Sequence, residues 1–88
     1  MQIHFTTSVW KEGRTYVAYS PVLDVSSCGR SAVKAKENLQ EAVEGFLEAA
    51  RVHGTLARIL REAGFTKAGR TMWTEPKLVS VEETRVSL

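Results

Sequence analysis

Residues 31–53 read SAVKAKENLQEAVEGFLEAARVH, and the reading of this stretch decides the fold. Ala32, Ala35, Leu39, Ala42, Val43, Phe46, Ala49, Ala50 and His53 recur at steps of three and four, one apolar stripe on a 3.6-residue repeat. Lys34, Lys36, Glu37, Gln40, Glu41, Glu44, Glu48 and Arg51 fall mostly on the opposite side. Ser31 is placed to cap the first turn, since its hydroxyl can accept a hydrogen bond from a free amide there. Gly54 sits where a left-handed stop is expected, and no proline interrupts the run. Such a helix is roughly 34 Å long at 1.5 Å per residue. Propensity alone seldom holds a helix of this kind, so its stripe must dock on a surface that the rest of the chain supplies.

Upstream, Ile3 to Trp10 alternates. Ile3, Phe5, Thr7 and Val9 point one way, and His4, Thr6, Ser8 and Trp10 the other. Lys11-Glu12-Gly13-Arg14 reads as a tight turn, with Gly13 free to take positive φ, and Thr15 to Tyr19 as the returning strand. A two-residue loop at Glu12-Gly13 sets Val9 opposite Tyr16 and Thr7 opposite Ala18. A three-residue loop would bring Val17 and Tyr19 onto that face instead. The shorter loop is favoured, and it puts Trp10 and Tyr19 together on one face. Ser20-Pro21 closes this strand, because proline cannot donate to a ladder. Val22 to Cys28 is a third strand or extended segment, and Gly29 releases the chain into the helix.

Downstream, Thr55 is a second candidate cap, leading a short amphipathic helix over 56–63 that Gly64 ends. Phe65 is placed for the apolar contact that accompanies such a stop. Residues 66–72 read as a polar linker and 73–88 as a C-terminal strand containing Pro76. The expectation is a single α+β domain over residues 1–88 with a core in 1–65. Its order is β-β-β-α-α-β, with one long helix on one face of an antiparallel sheet.

Composition narrows the function. A chain of 88 residues buries roughly 60–65% of its unfolded surface, so the core is thin. Its 43% hydrophobic and 25% charged content is that of an ordinary globular protein. A net charge of +2 is too small to point to nucleic acid. Cys28, the single cysteine, can form no internal disulfide, which suits a reducing cytoplasm. Met1-Gln2-Ile3-His4-Phe5 lacks the basic start and apolar run of a signal peptide, and no apolar segment reaches the length of a membrane span. A soluble cytoplasmic protein is the expectation.

Few residues suggest chemistry. Asp24 is the only aspartate, and Glu37, Glu41, Glu44 and Glu48 suit a solvated helix face. His4, His53 and Cys28 show no metal-ligand spacing, so no catalytic, cofactor or metal site is expected. His53 reads as a partner for the helix dipole, and Cys28 as a small packed hydrophobe or a reactive thiol. Gly64-x₄-Gly69 is not followed by Lys-Ser/Thr and makes no phosphate loop. Arg58, Arg61, Lys67 and Arg70 gather in one stretch that could touch phosphates or simply be solvated. Trp10, Tyr19 and Trp73 are the candidate anchors of a partner-binding surface, aromatic residues being enriched at interface centres. The alternative is that the short helix or the terminal strand covers them. Val79, Val81, Val86 and Leu88 would form an edge that needs cover, which points to a homo-oligomer.

Tyr16-Val17-Ala18-Tyr19-x-Pro21-x-Leu23-Asp24-Val25-x-Ser27-x-Gly29-x-Ser31, followed by Ala35-x-x-Asn38-Leu39-x-Glu41-Ala42-Val43, resembles the HicB-type antitoxin family. The resemblance runs from about Thr15 to Leu47. Many relatives have Pro-Gly-Cys after the Pro-x-Leu, where this chain, like a subgroup, has Asp24-Val25-Ser26. The resemblance implies a partial RNase H-like fold without nuclease function, and neutralisation of a small HicA-type toxin that cleaves RNA. An RNase H site needs several metal-binding carboxylates, and the strands here offer essentially Asp24. Many members of the family carry a C-terminal DNA-binding domain. After Phe65 this chain reads as linker plus strand, so direct DNA binding is not expected. If the partner is basic, as an RNA-binding toxin should be, Glu44 and Glu48 on the helix could steer it.

Overall fold

The computed structural model describes residues 1–88 and is α+β. Four strands come first: β1 (Gln2–His4), β2 (Ser8–Glu12), β3 (Thr15–Ser20) and β4 (Val25–Gly29). Helices α1 (Ala32–Val52) and α2 (Leu56–Glu62) follow, then β5 (Thr66–Ala68) and β6 (Met72–Thr74). The strands form two three-stranded sheets, β2-β3-β4 antiparallel throughout and β1-β6-β5 mixed.

The hairpin turns at Gly13-Arg14 with Gly13 at φ 62°, and Glu12 pairs with Thr15. The loop lies one residue further along than expected, so the register moves by two and Val9 faces Ala18 rather than Tyr16. A shift of two preserves the side of every residue. Trp10, Val17 and Tyr19 therefore share one face, and Val9, Tyr16, Ala18 and Ser20 the other. β4 joins with Ser27 beside Ala18 and Cys28 beside Val17.

The long helix docks on the Ala18 side of this sheet, chiefly against β4 and β3. Small residues let it come close. Ala18 and Ala35 have no exposed surface, and a Cβ on Gly29 would lie 2.7 Å from the Ala35 amide nitrogen. The Asn38 side chain donates to the Cys28 carbonyl at 2.8 Å and pins the helix to the edge strand. Ser31 caps α1 by accepting from the Lys34 amide at 3.0 Å. Both helices stop in the same way. Gly54 (φ 72°) donates to the Arg51 carbonyl and Thr55 to Ala50, while Gly64 (φ 92°) donates to Arg61 and Phe65 to Leu60. These are paired Schellman closures in which glycine takes the left-handed position without a Cβ penalty. Thr55 itself makes no side-chain cap.

Four expectations need correction. The buried ridge of α1 is Ala35, Leu39, Val43, Leu47 and Ala50, whereas Ala42, Phe46, Ala49 and His53 are exposed. A sheet this small covers a narrower arc of the helix than its apolar stripe spans. The opening strand is broken, because Phe5–Thr7 separates β1 from β2 and the two halves pair in different sheets. Residues 66–72 are no linker: Gly69 (φ 73°) turns a hairpin that pairs Lys67 with Trp73. β6 then lies parallel to β1, with Ile3 beside Trp73, a pairing the intervening helices make possible as a crossover. Finally, residues 75–88 form neither helix nor strand. A strand needs a neighbour, and after Glu75, which touches Thr6, and Pro76, which packs on Gly64, every residue from Lys77 on is exposed. The core is Ala18, the α1 ridge, Leu56, Leu60, Phe65 and Trp73.

Candidate functional site

The face of β2-β3-β4 turned away from α1 carries no helix, and its side chains are set by the register. One cross-strand row is Trp10–Val17–Cys28, and the next is Ser8–Tyr19–Ser26. Trp10 is 64% exposed, Val17 and Tyr19 are half-buried, and Cys28 is exposed. The polar tips of both aromatics are occupied within the face. Trp10 Nε1 donates to Ser8 Oγ at 3.2 Å, and Tyr19 Oη donates to Asp24 Oδ1 at 2.9 Å. Asp24 stands at φ 56° in the turn between β3 and β4, a position aspartate tolerates better than most residues, and its amide donates to the Ser20 carbonyl. The hydrogen bond to Asp24 raises the Tyr19 phenol above the ordinary tyrosine range, with smaller contributions from desolvation and the aspartate charge. Held rings lose less freedom on contact, so this surface is preorganised for apolar docking.

The other candidate residues lie elsewhere. Trp73 is 4% exposed and belongs to the core, a correction to its expected place on an open face. The Arg61 guanidinium stands 5.4 Å and the Lys67 ammonium 5.9 Å from the centre of its ring. Two members of the basic stretch thus pack against tryptophan. Arg58 faces Glu62 at 4.0 Å, an exposed pair, and Arg70 is exposed. Glu44 and Glu48 line a groove of about 860 Å³ between α1 and the N-terminal segment. They are on the helix layer, across the sheet from Trp10. Glu44 accepts from the Gln40 side chain, and Glu48 is bound by Arg51 at 2.6 Å, which lowers the glutamate and raises the arginine. Of the acidic pair, Glu44 alone makes no ion pair.

Val79, Val81, Val86 and Leu88 are exposed and unpaired in the single chain. No group of three or more His, Cys, Asp or Glu is arranged to hold a metal ion, and no helix is long and apolar enough to cross a membrane. Sequence reading missed the groove, whose apolar floor includes Ile3, Phe5, Val43, Leu47 and Leu56. It also missed Cys28 as a member of the open face. Parity put Trp10 and Val17 on one face, but their direct pairing needed the observed turn, and the third member needed the β4 register. Comparison with family models, curated proteins and solved structures gives no match.

Proposed function

We propose that this chain is a non-enzymatic, HicB-like antitoxin module, partly RNase H-like in fold, that binds and occludes a small HicA-type RNA-cleaving toxin in the cytoplasm. The observation that carries the reading is the uncovered sheet face on which Trp10, Val17 and Tyr19 are held in register. The sequence resemblance supplies the class of partner. Its motif residues have structural work consistent with that reading: Asn38 ties α1 to β4, Gly29 admits the helix, and Asp24 fixes Tyr19. The mechanism is steric. A rigid sheet face carrying a large exposed indole covers the surface with which the toxin would hold RNA, and Glu44 contributes to the rate of encounter rather than to the lifetime of the complex.

The rival reading, nucleic-acid binding through residues 58–70, finds less support, because Arg61 and Lys67 are packed on Trp73 and Arg58 is paired. Self-association through the C-terminal apolar residues completes the proposal. The functional test is co-expression with the product of the adjacent open reading frame. Growth arrest by the neighbour, relieved by this chain, is the expected result; a neighbour that is neither toxic nor bound rejects the antitoxin reading. The purified protein should cleave neither RNA nor RNA–DNA hybrids. Metal-dependent cleavage abolished by Asp24→Ala would overturn the non-enzymatic assignment.

A further inference from the structure

We propose that residues 77–88 are an exchange arm, which leaves its own body and adds as a strand to the open edge of β2 in a second copy of this chain. This specifies the self-association above and is independent of the toxin reading. Several observations meet here. β2 ends its sheet, pairing with β3 on one side only, so its other edge presents unpaired amides and carbonyls. The chain emerges from β6 beside that region: Thr74 pairs with His4, and the Glu75 carboxylate contacts the Thr6 hydroxyl. It does not continue along its own sheet. Pro76, which has no amide to donate, packs on Gly64 at the end of α2, where a Cβ would lie 3.1 Å from its Cγ.

From Lys77 onward every residue is exposed, including Leu78, Val79, Val81, Val86 and Leu88. The molecule measures 44 × 29 × 20 Å, with a radius of gyration of 14.9 Å. A compact chain of this length has about 12 Å. The segment is rich in β-branched residues, and extended it spans up to roughly 40 Å, ample to reach a neighbour. An open edge and a β-forming arm on one molecule are self-complementary. A two-fold exchange satisfies both without leaving a free end for further growth. Added strands gain affinity from main-chain hydrogen bonds and specificity from alternate side chains, so Val79 and Val81 would extend one face of the sheet beyond β2.

The test uses the full chain and its double variant Val79→Lys/Val81→Lys, in which both positions are exposed and the folded body is untouched. Light scattering at micromolar concentration should give a dimer for the wild type. The variant should be a folded monomer by circular dichroism, with dimerisation weaker by roughly a hundredfold or more. Amides on the free edge of β2 should exchange slowly in the wild type and quickly in the variant. In dimers refolded from isotope-labelled and unlabelled chains, contacts between the arm methyls and β2 should appear between copies. A wild-type monomer overturns self-association itself. A dimer that survives the variant, or whose β2 edge is unprotected, overturns the arm as its basis. Protection of the edge with contacts only within a chain means the arm docks on its own β2, and contacts to Ile3 and Phe5 mean it fills the groove; either result rejects the exchange.

Discussion

Trp10 is 64% exposed and Trp73 is 4% exposed, and that difference sets what each substitution does. Trp73→Ala empties a buried core site beside Ile3 and should lower unfolding free energy by about 3–5 kcal/mol in a denaturant titration. Trp10→Ala removes little buried surface and should stay within about 0.5 kcal/mol of wild type. Ser20 offers the converse case. It is fully buried and its hydroxyl has no partner, so Ser20→Ala should stabilise the fold by up to about 1 kcal/mol. Tyr19 carries a pH signature. Its raised phenol means that the Asp24 hydrogen bond stabilises the folded state fully below the tyrosine pKa of the unfolded chain, and that the effect is lost as pH rises through the folded value. An NMR titration of the Tyr19 ring carbons should show ionisation above the ordinary tyrosine range, and Asp24→Asn should bring it down. An unchanged midpoint in that variant would mean the hydrogen bond does not form in solution.

At the scale of elements, the two helix starts make a controlled comparison. Ser31 bonds the Lys34 amide, whereas the Thr55 hydroxyl bonds no amide of α2 and donates only a long 3.3 Å bond to the Ala50 carbonyl, so Ser31→Ala should cost about 1 kcal/mol and Thr55→Ala distinctly less. Gly29→Ala drives a Cβ into the backbone of Lys34 and Ala35 and should destabilise by about 1–3 kcal/mol, since neither backbone segment can yield without undocking α1. The helices were legible because their signals are local: apolar steps of three and four, a serine before the first turn, glycines after the last. The strand pair at 66–74 was not. Thr66-Lys67-Ala68 is short and polar, and it becomes a strand only because Trp73 needs cover from Lys67 and because β1 offers an edge. The break at Phe5–Thr7 was hidden for a similar reason, since alternation continues through it while the pairing partner changes.

Across the whole molecule, the chain separates a packed layer from an open one. The helix, the core residues and the groove lie on one side of β2-β3-β4, and the Trp10 face lies on the other. Face membership was readable before the register was, because the observed turn shifts pairing by two residues and so leaves every side chain on its expected side. The placement of Trp73, Glu44 and Glu48 was not readable, because it depends on a crossover strand and on which arc of α1 the sheet covers. The most direct test of the central claim, that the open face holds a protein partner, is the binding kinetics of Trp10→Ala toward the product of the adjacent open reading frame. With the fold intact by circular dichroism, removing this anchor should cost on the order of 2 kcal/mol, roughly thirtyfold in affinity, mostly through faster dissociation. Wild-type affinity in the folded variant would contradict the account.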